Sequence, residues 1–110
     1  MSPLKRHNKL VRDRIPEIIE QSGHPCRWRI LDDDEYLRCL DAKLEEELAE
    51  YLADGSPEEL ADLLEALYAA AQARGCSREQ LEAIRLRKAG ERGGFLGRVF
   101  LEDVDQLPGD

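Results

Sequence analysis

The sequence predicts a mainly α protein: a bundle built on one helical hairpin and completed by oligomerisation, with a short two-stranded β element pairing residues 26–31 and 95–101. Three observations predict it. Leucines recur at helical spacing from Leu37 to Tyr68, on both sides of a Gly55-Ser56-Pro57 break. Charged residues make up 36% of the chain and aromatics 5%, which implies helices around an aliphatic core. At 110 residues that core is modest, so a second copy is expected to complete it.

The chain reads as one domain over residues 1–110, with loose tails at 1–8 and 103–110. In KLVRDRIPEIIEQSG, Leu10, Val11 and Ile15 are apolar anchors, Pro16 suits a first helical turn and Gly23 a stop. Lys9, Arg12, Asp13 and Arg14 crowd the approach to that helix, and solvation alone accounts for such a run as readily as binding does. CRWRIL, residues 26–31, alternates like a strand, with Trp28 and Ile30 on one side. Asp32, Asp33 and Asp34 offer N-caps for a long helix from about Asp33 to Asp54. Leu37, Leu40, Leu44, Leu48, Tyr51 and Leu52 form its apolar stripe, and Gly55 ends it.

Ser56-Pro57-Glu58-Glu59 opens the next helix, with Ser at the cap and Pro at the first position. That helix is expected to bury Leu60, Leu63, Leu64 and Leu67 and to run to Arg74, with Gly75 as its stop. Ser77-Arg78-Glu79-Gln80 is a capping box opening a helix through about Ala89, which becomes basic at its end through Arg85, Arg87, Lys88 and Arg92. Arg92-Gly93-Gly94-Phe95 and the alternating FLGRVFLEDV follow.

Composition also excludes. A net charge of −8 argues against a general nucleic-acid or anionic-membrane binder. No apolar run approaches the roughly 20 residues that cross a bilayer, and MSPLKRHNKL lacks the apolar segment of a signal peptide. Cys26, Cys39 and Cys76 are odd in number and form no CxxC, as expected of reduced thiols in a cytoplasmic protein. His7 and His24 are isolated, and no Ser, Cys or His constellation points to covalent catalysis.

The chemistry is in the carboxylates. Glu47 and Glu50 are three apart on one helix, Glu59 and Asp62 three apart on the next, so each helix offers a pair on one face. Two such pairs across a hairpin make an all-oxygen site of the kind Mg2+ prefers, with Mn2+ as substitute. On a helical wheel Lys43, Glu47, Glu50 and Asp54 share a flank, and Glu47 borders the Leu stripe. A carboxylate there costs free energy unless it is paired or bound to a metal. Glu59 is open to two uses, cap partner or ligand. The competing reading is that both pairs are solvated faces of acidic helices.

These residues resemble the all-α nucleoside triphosphate pyrophosphohydrolases, the MazG-like and phosphoribosyl-ATP pyrophosphohydrolase superfamily. Glu47-Leu48-Ala49-Glu50, preceded by Glu46, is similar to that family's Glu-x-x-Glu, and Glu59-Leu60-Ala61-Asp62 to its Glu-x-x-Asp. KLVRDRIPEII near the start and RGGF near the end resemble a short MazG-like branch. The likeness covers roughly Lys9 to Phe100. The eight residues between Glu50 and Glu59 are a shorter gap than the superfamily usually shows, which favours Glu47, Glu50 and Asp62 over Glu59, with Glu65 in reserve.

The resemblance implies Mg2+-dependent hydrolysis of a (d)NTP between its α- and β-phosphates, in nucleotide-pool cleansing, by a homodimer or higher oligomer. Glu47, Glu50, Glu59 and Asp62 would carry the metal, and Glu46 or Glu47 would handle the attacking water. Lys88 and Arg92, and more weakly Lys9 and Arg12, would contact the phosphates. Phosphoribosyl-ATP is the alternative substrate. The alternative from another class is a non-catalytic helical dimerisation module.

Overall fold

In the computed structural model, which describes residues 4–109, the chain forms four helices: α1 (Ile15–Gln21), α2 (Asp33–Asp54), α3 (Pro57–Ala73) and α4 (Arg78–Arg92). The mainly α class is as the leucine spacing predicts. The ends of both expected tails, residues 1–3 and 110, lie outside the described residues, and 4–8 and 103–109 are neither helix nor strand.

Local chemistry sets each boundary. Asp32 caps α2 by accepting the Glu35 N–H at 2.9 Å. Arg29 then grips the Glu35 carboxylate with both guanidinium nitrogens, at 3.2 and 2.8 Å. That fork holds the Glu35 pKa down at about 2. At the other end Gly55 takes φ 73, a left-handed conformation that glycine enters without a Cβ clash, and its N–H returns to the Tyr51 carbonyl. Ser56 caps α3 immediately afterwards, so two residues reverse the chain. Ser77 and Gln80 complete the expected capping box of α4. α4 runs three residues past Ala89, because Gly90 is carried within the helix and the positive φ that ends it, 82°, falls at Gly93.

α2 packs against α3, and α4 packs on α3 without touching α2. The hairpin seam differs from the predicted one. On α3 the buried residues are Ala66 and Ala70, with Leu63 half-buried, while Leu60, Leu64 and Leu67 are exposed. The small alanines let the two backbones approach, and the broader leucine row turns away. On α2, Leu40 is buried and Leu44 half-buried, but Glu47 occupies the next seam position. Leu48 and Leu52, expected in the stripe, point to solvent at 45% and 72% exposure.

The two-stranded β element is absent: among the described residues there is no strand. A turn closed by the Arg98 N–H on the Phe95 carbonyl, with Arg98 at φ 57, interrupts the alternating run of 95–101. Residues 26–31 carry no ladder hydrogen bond and leave Trp28 and Ile30 exposed. An isolated pair of strands without a hydrophobic face to rest on is marginal in water.

Two outcomes follow. Leu40→Ala should lower the unfolding free energy by roughly 2–5 kcal/mol in a urea titration, against about 1 kcal/mol for removing the α4 cap with Ser77→Ala. Glu35 is shifted downward on folding, so its contribution is present above the usual carboxylate value and lost as pH falls toward about 2. Acid titration of Glu35→Gln should show a protein less stable than the parent at neutral pH and equal to it below pH ~2.

Candidate metal centre

Glu47, Glu50 and Glu59 each place a carboxylate oxygen within 4.8 Å of the others. The hairpin explains the convergence. Glu47 and Glu50 are one turn apart near the end of α2, and the tight Gly55-Ser56 reversal sets the first turn of α3, with Glu59, beside them. Glu59 continues the α3 row that includes Leu63, Ala66 and Ala70, at spacings of four, three and four, and so faces α2.

Glu47 is 6% exposed, the one buried charged side chain among the described residues. Lys43, one turn earlier, pairs with its Oε1 at 3.0 Å, and its Oε2 is buried with no hydrogen-bond partner. Glu59 Oε2 is likewise buried and unpartnered. The Ser56 hydroxyl accepts the Glu59 N–H at 3.4 Å, but the reciprocal bond of a capping box is not among those formed. Glu59 is thus left to the three-carboxylate group, whereas Asp62, favoured from the sequence, falls outside it. Burial pushes the Glu59 carboxyl above its usual range, and the neighbouring charges of Glu50, Asp62, Asp54 and Glu47 push it further.

Asp62 stands outside the three-carboxylate group. Its Oδ1 accepts from Arg12 Nη2 at 2.7 Å. Glu46 is held by Lys9 at 2.7 Å and Lys43 at 3.5 Å, chiefly through the Lys9 bond, and its carboxyl lies below the usual range. Lys9 is correspondingly held above its ordinary value by Glu46. The segment before α1, expected to be no more than a solvated lead-in on one reading, therefore lies across the hairpin, with Lys9 on α2 and Arg12 on α3. Asn8, at φ 46, turns the chain into this strap, and Asn8, Lys9 and Leu10 enclose a small cavity against Cys39, Lys43 and Glu46. Lys88 and Arg92, by contrast, pair with none of these carboxylates, and their helix touches only α3. Glu65 is exposed and outside the group. Lys43 is the residue whose part went unpredicted, although its position four before Glu47 signals the ion pair.

The donor set is all carboxylate oxygen, two of its oxygens are buried without partners, and the three acids repel one another. Those properties fit a hard divalent cation such as Mg2+ or Mn2+.

No family model matches the chain, and no solved structure does. A protein of Mycolicibacterium smegmatis described as uncharacterized is 60% identical over 45 residues, covering 41% of this chain and 46% of that protein. The chain thus spans about half the length of the curated relative it matches.

Folding raises the Glu59 carboxyl, so its contribution to stability is present below the usual carboxylate value and lost as pH rises through the raised one. Glu59→Gln should therefore flatten that loss in metal-free thermal melts. Millimolar Mg2+ should raise the melting temperature of the parent by mass action, and Glu47→Gln or Glu59→Gln should remove the rise.

Proposed function

We propose that this chain is a nucleoside triphosphate pyrophosphohydrolase, splitting a (d)NTP between its α- and β-phosphates to give a monophosphate and pyrophosphate. The observation that carries the reading is the pair of buried, unpartnered carboxylate oxygens of Glu47 and Glu59, in a cluster whose third member is Glu50. The resemblance of Glu47-x-x-Glu50 and Glu59-x-x-Asp62 to the family's acidic motif gives that cluster its chemistry.

Glu47, Glu50 and Glu59 would hold Mg2+ or Mn2+, which when bound offsets the charge of a polyphosphate and lowers the pKa of a coordinated water. Lys43 fixes one oxygen of Glu47 and leaves the other to the site. Glu46, kept ionised by Lys9 and Lys43, accepts a hydrogen bond from the attacking water and orients it. Arg12 and Lys9, already at the acidic face, exchange carboxylates for phosphate oxygens when substrate enters, and Asp62 is then released to the cluster. Catalysis on such a substrate is mainly positioning and charge stabilisation, which these groups supply. Lys88 and Arg92 are further phosphate contacts in the same reading. The exposed row of Leu60, Leu64 and Leu67 supports a homo-oligomer. Among the described residues no helix is long and apolar enough to cross a membrane. Three cysteines without disulfides support a reducing, cytoplasmic setting.

Pyrophosphate release should be measured on a panel of canonical and modified NTPs and dNTPs and on phosphoribosyl-ATP, with and without Mg2+. The expected result is metal-dependent release that falls at least about 100-fold in Glu47→Gln and in Glu59→Gln. Arg12→Ala should act chiefly through KM. A parent protein inert on every substrate, with a melting temperature indifferent to metal, would leave a helical module with a charged face.

A further inference from the structure

The strap that crosses the hairpin is fastened chiefly by charge. Among the described residues no backbone hydrogen bond joins residues 9–13 to α2 or α3. Leu10 and Val11 are half-buried, and the polar ties to the hairpin are Lys9 to Glu46 and Arg12 to Asp62, at 2.7 Å each. The four side chains of those pairs are 26–56% exposed, so water and salt compete for both.

Both anchors stand one step from the three-carboxylate group. Lys43 pairs with Glu46 at 3.5 Å and with Glu47 at 3.0 Å, so charges alternate from Lys9 through Glu46 and Lys43 to the buried Glu47. The charges of Glu50 and Glu47 act on Lys9 in addition to that of Glu46, its main partner. On the other helix Asp62 follows Glu59 by three residues and shares its face. The strap thus sets two cations beside a group in which Glu47, only 6% exposed, keeps one oxygen without a partner, as does Glu59. A divalent ion entering that group meets positive charge already in place, and finds Asp62 engaged by Arg12.

We propose that the strap is a built-in competitor of the metal. Lys9 and Arg12 hold the acidic face in the cation-free protein, and a divalent ion bound by Glu47, Glu50 and Glu59 loosens both. This competition rests on the metal-centre reading and needs neither the substrate nor the reaction proposed above; there the strap answers a phosphate, here it answers the cation alone. The effect is reciprocal: by whatever factor the ion weakens the closed strap, the closed strap weakens the ion. Exposed pairs of this kind set that factor at roughly two- to fivefold each.

Calorimetric titration of MgCl2 into metal-free protein tests it. Arg12→Ala and Lys9→Ala should each bind Mg2+ roughly two- to fivefold more tightly than the parent, and the double variant more tightly than either. A substitution that only damaged the fold would weaken binding instead. Arg12→Lys, which keeps the charge, should bind as the parent does. In nitrogen-15 NMR of the parent, Mg2+ should speed rotation of the Arg12 guanidinium, and in Glu59→Gln, which lacks a ligand, it should not. Binding that is unchanged or weaker in both alanine variants overturns the competition and leaves the metal centre standing. A parent and variants that all fail to bind Mg2+ overturn the metal centre and the competition together.

Discussion

The structure depends on a carboxylate placed where a leucine would be expected. Glu47 occupies a seam position of the α2–α3 hairpin, and Glu59 faces it from the first turn of α3. Each is partly stripped of water, and only Glu47 receives a counter-charge, through one oxygen, from Lys43. A pair of like charges, one buried and one half-buried, opposes the packing around it. The layer of the hairpin nearest its turn is therefore held together by what lies further along it: Leu40, Leu44, Ala66 and Ala70. The alanines permit close packing there, and the acids lie toward the reversal. Stability at one end of the hairpin tolerates its shortage at the other, which is the usual relation between a rigid frame and a charged site.

The N-terminal strap answers the same electrostatic problem from outside. Lys9 and Arg12 bring two cations to Glu46 and Asp62, on opposite helices, and tie the hairpin across its acidic side. Both pairs are solvent-exposed, so each contributes at most about 1 kcal/mol and weakens with salt. Contacts of that strength can open and close without unfolding anything. KLVRDRIP thus has a physical role that charge density alone does not disclose: it supplies counter-ions to a hairpin face with too many acids.

Much of this was legible in the sequence because the signals are local. Asp32, Gly55, Ser56-Pro57 and Ser77-x-x-Gln80 fix the helix boundaries by capping chemistry that needs no tertiary information. Two carboxylate pairs facing one another across the hairpin were legible from the spacing of Glu47 with Glu50 and of Glu59 with Asp62, and the unease of Glu47 from its place beside the leucines. The choice between Glu59 and Asp62 was not, since it turns on which of them meets Arg12, 50 residues from Asp62 in the chain. Nor could periodicity say which of two adjacent rows on α3 packs inward: Leu60-Leu64-Leu67 carries the stronger hydrophobic signal, yet Leu63-Ala66-Ala70 gives the closer approach. The strand expectation failed for a related reason. Residues 26–31 and 95–101 have the alternation of strands, but alternation describes a segment's readiness to pair and does not provide its neighbour.

The two-residue reversal at Gly55 and Ser56 also bears on how the protein comes to be folded. All three clustered acids lie within residues 47–59, so closing the loop that joins them removes little chain entropy, and the contacts that assemble the site are among the shortest-range in the molecule. A hairpin of that kind forms on the timescale of helix growth and local collapse, ahead of any association between chains. The acidic cluster would therefore exist in a nascent, still solitary chain, as soon as the hairpin closes. The charge the three acids must meet is therefore met as the hairpin closes, and not after the rest of the fold is complete.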